Sequence, residues 1–257
     1  MKMILLGAGN VATHLGLALK KAGHEILQVY GRSASSSLEL SKKLKSKPVT
    51  DINKISALAD LYIVSISDSS LQGFIKSFPV KNKTIVHTSG SVGINVFKKS
   101  FKSCGVFYPL QTFSKERKMD FTKVPILVEG NNPKSFAFIK KVADTISPYV
   151  FETDSASRKT IHLSAVLANN FTNHLFVMAE KILAKKNIPF PILGPLLHET
   201  VIKAILLTPG EAQTGPAKRG DTKIIAEHLK MLSKDPSLSK IYKLLSESIE
   251  KESGMLL

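Results

Sequence analysis

The sequence predicts an α/β protein in which a doubly wound, mostly parallel sheet is followed by an all-helical domain. Through residues 1–152, short β-rich runs alternate with amphipathic helical segments, a pattern that requires crossover connections between parallel strands. After Glu152 the strand pattern stops, and the segment from Asp154 to Lys186 contains neither glycine nor proline. We therefore expect two domains, at residues 1–152 and 153–257.

The strands and helices of the first domain can be placed in order. Asp154 or Ser155 is the expected N-cap of the first long helix of the second domain, and Asp221 is the expected cap of a later one. The predicted strands are "MILL", "EILQVY", "LYIVSI", "TIVHTS", "GVFYPL", "PILVEG" and "YVFE", and amphipathic segments between them include "NVATHLGLALKKAG", "SSLELSKKLKS" and "SFAFIKKVADTI".

Composition excludes several classes of protein. With 43% hydrophobic and 22% charged residues, the 257-residue chain has the balance of a globular protein. It has neither an apolar run of roughly 18 residues nor a signal-peptide pattern, so we expect a cytoplasmic protein that does not engage a membrane. Cys104 is the single cysteine, and no Cys or His cluster has metal-ligand spacing, so we expect no metal site.

The formal net charge of +16 is concentrated in the first domain. Residues 1–151 contain 22 Lys and Arg against 9 Asp and Glu, mostly as scattered pairs such as Lys20-Lys21 at the ends of amphipathic segments. This arrangement is typical of a solvated surface. Because the chain has no Trp, few Tyr and no nucleic-acid-binding motif, we expect small anionic ligands rather than nucleic acid.

A dinucleotide fingerprint directly follows the first predicted strand. Gly7, Gly9 and Ala12 form a G-x-G-x-x-A pattern that opens a helix. The first glycine permits a tight turn, the second lets a pyrophosphate approach the backbone, and the alanine allows close helix–strand packing. Residues 7–12 (Gly7, Ala8, Gly9, Asn10, Val11 and Ala12) are therefore the expected pyrophosphate site, the alternative being a glycine turn that binds nothing.

The end of the second strand favours NADP over NAD as the cofactor. An NAD-binding domain places Asp or Glu there for the ribose hydroxyls, whereas this sequence has Arg32 and Ser33, which suit a 2′-phosphate. Arg32 could equally be a surface residue of a loop. Two further strand ends offer cofactor or substrate ligands, namely Ser67 in "SISDSSL" and Thr88, Ser89 and Gly90 in "HTSGS", although capping and turn formation also explain these residues.

The motifs "GAGNVA", "HTSG", "YPLQTF", "HLSAVLANNF" and "TGPAKRGD" resemble those of Rossmann-like proteins with a C-terminal domain of unknown function 2520, a family described as NADP oxidoreductase-like. That family is similar in plan to the 6-phosphogluconate dehydrogenase and pyrroline-5-carboxylate reductase group. The resemblance implies an N-terminal Rossmann domain and a helical domain that helps to form a homodimer. It does not imply a specific reaction.

The resemblance also indicates candidate catalytic residues. Hydroxyacid-oxidising relatives carry a catalytic Lys one helical turn before an Asn; if Asn170 is that Asn, Val166 occupies the Lys position. His162 is then the nearest proton-transfer candidate, the alternative being a histidine packed in a buried helix. At about 100° per residue, Asn169 lies closer than Asn170 to the face of His162, so both remain candidates. Where the family pattern commonly has His-Pro-Leu, this chain has Tyr108-Pro109-Leu110.

The loop "EAQTGPAKRGD" supplies the last candidate, because Arg219 could bind a substrate carboxylate or phosphate through two parallel hydrogen bonds. The alternative is a structural loop between domains or subunits. The sequence therefore predicts an NADP(H)-dependent oxidoreductase acting on a small carbonyl, imine or hydroxy acid. A non-catalytic NADP(H) sensor and a deazaflavin-linked oxidoreductase are the alternatives.

Overall fold

The computed structural model describes residues 1–254, apart from the side chains of Lys98 and Lys99. The chain divides into two compact units between Leu167 and Ala168. Glu152, after which the sequence places the domain boundary, is the last residue of the last strand, and the first unit also includes the helix that follows it.

An eight-stranded sheet forms the centre of the first unit, with the strand order β3-β2-β1-β4-β5-β6-β7-β8. Only β6 and β7 pair antiparallel, so the predicted mostly parallel sheet is confirmed. The strands are β1 (Lys2–Leu6), β2 (Glu25–Tyr30), β3 (Lys47–Val49), β4 (Leu61–Val64), β5 (Thr84–His87), β6 (Cys104–Pro109), β7 (Ile126–Gly130) and β8 (Val150–Glu152).

Helices cover both faces of this sheet, as the sequence predicts. Met3 and Leu5 of β1 contribute to one hydrophobic cluster, whereas Ile4 and Leu6 contribute to the cluster on the opposite face, because successive side chains of a strand point in opposite directions. The helices of the first unit are α1 (Asn10–Lys21), α2 (Ala34–Leu44), α3 (Asp68–Ser77), α4 (Pro133–Asp144) and α5 (Ser155–Ala165), with 3₁₀ turns at Ile52–Lys54, Ile94–Ser100 and Phe121–Lys123.

The second unit is helical throughout its described residues, as the sequence predicts. A π-helical segment, Val166–Phe171, separates α5 from α6 (Thr172–Ala184). The remaining helices are α7 (Gly194–Leu206), α8 (Pro209–Ala212), α9 (Thr222–Met231) and α10 (Pro236–Glu252), with 3₁₀ turns at Phe190–Leu193 and Ala217–Arg219. Both predicted caps are present: Asp154 accepts a hydrogen bond from the Ser157 N–H, and Asp221 accepts one from the Ile224 N–H.

The helices of the second unit leave much apolar surface uncovered by the chain itself. Among the described residues of this unit, the buried hydrophobic side chains are Ala217 and Leu232. Large exposed apolar side chains include Leu196, Val201, Ile205, Leu206, Met231 and Leu244. None of the helices within residues 1–254 is long and apolar enough to cross a membrane.

Candidate active site

A cavity of about 890 Å³ lies at the carboxyl ends of the parallel strands, within the first unit. Ligands of doubly wound sheets bind at this edge. The cavity brings together most of the candidate residues of the first unit, although they are distant in sequence: Gly7, Ala8, Gly9, Asn10, Val11, Arg32, Ser33, Ser67, Thr88, Ser89, Gly90 and His162. Ala12 does not line it; this side chain is fully buried in the core beneath α1.

Glycine is present at positions 7 and 9 of the fingerprint for different reasons. Gly7 adopts φ +134°, and a Cβ there would lie 2.1 Å from the Ser65 carbonyl oxygen, so only glycine fits the turn. A Cβ at Gly9 would have no protein atom within 4 Å, although Gly9 lines the cavity. The space beside Gly9 is therefore open to a ligand rather than required by the fold.

The N-terminus of α1 fits an anionic group. In this fully described helix, the first turn contains no acidic residue and its N-cap, Gly9, provides no side-chain acceptor. The leading N–H groups and the helix dipole therefore favour a phosphate at the cavity. The Asn10 side chain instead donates a 2.8 Å hydrogen bond to the Phe113 carbonyl, so it holds the loop after β6.

Arg32 and Ser33 lie at the rim of the cavity, directly after β2. Among residues 1–254, no carboxylate lies within ion-pairing distance of Arg32, and its side chain is exposed. Ser33 is the N-cap residue of α2, and its hydroxyl lies 2.7 Å from that of Ser35. A guanidinium and hydroxyls beside a helix N-terminus suit a phosphate monoester.

The turn after β5 has a buried histidine beneath it. His87 is fully buried, and its Nδ1 accepts a hydrogen bond of 3.2 Å from the Ser89 N–H. Burial, and then the charge of Arg158, lowers the pKa of His87 to about 3, so its ring is neutral. Ser89 Oγ in turn accepts from the N–H groups of Ser91 and Val92. The "HTSG" residues thus form a rigid turn that presents Gly90 to the cavity.

Tyr108 and His162 form a hydrogen-bonded pair in the wall of the cavity. The Tyr108 hydroxyl lies 3.0 Å from His162 Nδ1, and the rings meet edge to face. A Cβ at Gly90 would lie 2.6 Å from His162 Nδ1 and 2.8 Å from Tyr108 Cζ, so glycine leaves the space that the pair occupies. Burial, and then the charge of Asp68, raises the pKa of the Tyr108 phenol and keeps it protonated.

Sequence reasoning proposed His162 but did not include Tyr108 among the site residues. The one sequence signal for Tyr108 is that its phenol occupies a position at which related sequences commonly have a histidine. Asp68, which the sequence offers together with Ser67 as a helix cap or as part of a ligand-binding strand end, also lines the cavity. The Asp68 carboxylate accepts a hydrogen bond from the Ser91 hydroxyl, across from its own helix.

A buried ion pair fixes the helix that carries His162. Arg158, one turn before His162, is fully buried and donates to the Glu129 carboxylate of β7. The second terminal nitrogen of Arg158 donates to the Val92 carbonyl at 2.7 Å. The Ser155 hydroxyl donates a hydrogen bond to Glu129 and accepts one from the Ile94 N–H. These contacts join α5 to β7 and to the segment after Gly90.

The other candidates belong to the second unit. Asn169 and Asn170 lie in the π-helical segment and are exposed. Because a π-helix has a wider turn than an α-helix, the 100° rotation per residue does not apply there, and helix geometry does not favour Asn169 over Asn170. Arg219 is exposed at the end of a 3₁₀ turn, followed by Gly220 with φ +67°. The roles of these three residues stay predictions.

The sheet, the fingerprint turn and the cavity together define a Rossmann-like domain. Family models match a Rossmann-like domain over residues 1–109 and the domain of unknown function 2520 over residues 124–249. The chain belongs to the family that combines these two domains. No functionally curated protein matches the chain.

Solved structures agree with this family. A "putative NADP oxidoreductase" from Bacteroides fragilis is 43% identical, with 97% of this chain and 98% of that chain covered and a TM-score of 0.91. Two more distant structures show the fold alone. A reductive aminase from Aspergillus terreus, in complex with NADPH and ethyl levulinate, is 15% identical (97% and 92% covered, TM-score 0.74). The 1-pyrroline-5-carboxylate reductase from Streptococcus pyogenes is 16% identical (99% and 98% covered, TM-score 0.63).

Proposed function

We propose that the protein is an NADP(H)-dependent oxidoreductase that acts on a small carbonyl, imine or hydroxy acid. The observation that carries this proposal is the shared cavity, in which the fingerprint turn and Arg32 lie together with the Tyr108–His162 pair. The description of the Bacteroides fragilis relative as an NADP oxidoreductase supports the coenzyme, and the reductases of the same fold support the reaction class.

Different residues of the cavity would bind different parts of the coenzyme. The N–H groups at the start of α1 would hold the pyrophosphate, and Gly9 leaves space for it to approach the backbone. Arg32 and Ser33 would hold the 2′-phosphate. When bound, the coenzyme supplies or accepts a hydride at the substrate carbon.

The Tyr108–His162 pair would transfer the proton that the reaction requires. In reduction, His162 supplies the proton to the reacting heteroatom, with Tyr108 as the second proton-carrying group hydrogen-bonded to it. Asn170, or alternatively Asn169, would hold the reacting group, and Arg219 would orient an acidic group of the substrate. These roles in the second unit derive from the family resemblance.

The choice of coenzyme is tested by titrating NADPH and NADH into the wild type and Arg32→Ala. We expect the variant to lose about ten- to hundredfold in NADPH affinity, since an arginine–phosphate contact contributes roughly 1.5–3 kcal/mol, while NADH binding changes little. Equal losses for both coenzymes, or none, would contradict NADP specificity.

Catalysis is tested with a panel of small carbonyl compounds and imines. We expect wild-type protein to oxidise NADPH with one of them and His162→Ala to be strongly impaired. Retained turnover in His162→Ala would contradict its role as the acid. Tight NADPH binding without consumption, together with a change in oligomeric state, would favour a sensor instead.

We also propose that the protein is a homodimer formed through its second unit. This unit buries few apolar side chains within residues 168–254 but exposes many large ones, including Ile205 and Leu206 of α7. Large exposed apolar side chains in such number are typical of an interface. A second copy of the chain would cover it and complete the hydrophobic core that one copy lacks.

A further inference from the structure

The charge inside the cavity is unevenly distributed. Among the described residues that line the cavity, Arg32 is the one Lys or Arg, and Asp68 is the one Asp or Glu. Asp68 follows β4, whereas Arg32 follows β2 on the other side of β1. The carboxylate therefore belongs to the part of the sheet edge that also carries Gly90, after β5, and Tyr108 on β6.

The Asp68 carboxylate does not serve its own helix as a cap. Asp68 is the first residue of α3, where a carboxylate commonly accepts backbone N–H bonds. Instead, its Oδ2 accepts from the hydroxyl of Ser91, the residue next to Gly90. Among the described side chains, which do not include those of Lys98 and Lys99, no Lys or Arg nitrogen lies within ion-pairing distance of this carboxylate. Its negative charge is thus left uncompensated by the described side chains.

We propose that Asp68 sets the charge selectivity of the cavity, and that the substrate is a small imine that reacts as its iminium cation. This inference rests on the proposed oxidoreductase function and selects one of its three substrate classes. Reduction of a carbonyl develops negative charge on oxygen, which a nearby carboxylate disfavours. Protonation of an imine creates positive charge on nitrogen, which the same carboxylate stabilises. An acidic substrate would be repelled at this end.

The reaction balances with groups already named. The imine nitrogen takes a proton from the Tyr108–His162 pair, and the resulting iminium lies in the field of Asp68. A hydride supplied by bound NADPH would form the new C–H bond, while the π electrons of the C=N bond would become the nitrogen lone pair. The products are an amine and NADP⁺, and solvent returns a proton to the Tyr108–His162 pair.

Binding of a cationic product analogue tests this inference without turnover. Pyrrolidinium chloride and cyclopentanol have five-membered rings and differ in charge. We would titrate each into the full-length protein saturated with NADP⁺, using wild type, Asp68→Asn and, as a control of equal charge change outside the cavity, Glu116→Gln on an exposed loop. Thermal melting checks that each variant is folded.

We expect wild type and Glu116→Gln to bind pyrrolidinium at least tenfold more tightly than cyclopentanol. Asp68→Asn should lose at least fivefold in pyrrolidinium affinity and leave cyclopentanol affinity unchanged. Equal pyrrolidinium binding by wild type and Asp68→Asn, or no binding by the wild type, overturns the inference. If Asp68→Asn loses affinity only for NADP⁺, the inference is also overturned, because the Asp68 carboxylate would then interact with the cationic nicotinamide ring rather than with the substrate.

Prior NADPH titration of the wild type separates the two proposals. Absence of NADPH binding contradicts the proposed function and the inference with it, whereas NADPH binding with charge-independent amine binding contradicts the inference alone. As a kinetic companion, 1-pyrroline should be reduced faster than cyclopentanone, and Asp68→Asn should reduce that preference at least fivefold.

Discussion

Gly90 lets Tyr108 and His162 approach each other, because an added Cβ would lie within 2.8 Å of both rings. We predict that Gly90→Ala separates the pair and lowers the stability of the protein by about 1–3 kcal/mol, the usual cost of overpacking. Gly73→Ala is the matched control, since a Cβ there has no neighbour within 4 Å and lies in α3. Urea unfolding and histidine side-chain NMR measure the two effects. Equal stability of both variants, with an unchanged His162 signal, would contradict this account.

His87 makes stability depend on pH. The folded protein keeps this ring neutral down to about pH 3, whereas the unfolded chain protonates it near its ordinary pKa of 6.5. Below pH 6.5, acid therefore favours the unfolded state, and this residue alone removes about 1.4 kcal/mol of stability per pH unit.

The test of this prediction is urea unfolding of the wild type and His87→Asn between pH 7.5 and pH 4.5. An asparagine at position 87 offers an acceptor for the Ser89 N–H but does not titrate. We expect the variant to be less stable at pH 7.5, with the difference shrinking as the pH falls. Parallel loss of stability in both proteins would show that His87 is not the titrating group.

Residues within a local motif could be predicted from the sequence, and residues that meet over long separations could not. Gly7, Gly9 and Arg32 follow from the spacing of one strand, turn and helix. Tyr108 and His162 are 54 positions apart, and their hydrogen bond depends on how β6 and α5 meet. No periodicity in the sequence indicates that β6 and α5 pack together.

The position of α5 depends on the buried Arg158–Glu129 pair. We predict that Arg158→Met lowers stability by about 3–5 kcal/mol, because it leaves the Glu129 charge without its partner. The double variant Arg158→Met/Glu129→Leu should recover a large part of that loss, since it removes both charges. Equilibrium unfolding of the two single variants and the double variant measures the coupling. Additive losses would contradict a direct interaction.

Elements with a strong pattern were predicted, whereas weakly patterned ones were not. Seven of the eight strands match β-rich runs in the sequence, but β3 has only the three residues Lys47–Val49 and includes a proline. The π-helical segment Val166–Phe171 was also missed, because its apolar and polar residues resemble those of a continuing α-helix. Packing rather than composition decides such local changes of helix type.

The whole molecule leaves Leu206 76% exposed, which the homodimer proposal explains. We predict that the 28.1 kDa chain sediments as a dimer and that Leu206→Glu shifts it to a monomer at micromolar concentration. Leu58→Glu is the control, because Leu58 is 71% exposed but lies in the first unit. A monomeric wild type, or equal dissociation by both variants, would contradict the proposal.

The proposed NADPH binding would depend directly on the backbone beside Gly9, where the fold leaves space that the protein itself does not fill. Calorimetric titration of NADPH into the wild type and Gly9→Ala therefore tests the account most directly. The variant has no predicted clash within the protein and should melt at the same temperature as the wild type, yet bind NADPH at least tenfold more weakly. No heat from the wild type, or unchanged affinity in a folded Gly9→Ala, would contradict a coenzyme pyrophosphate at this turn.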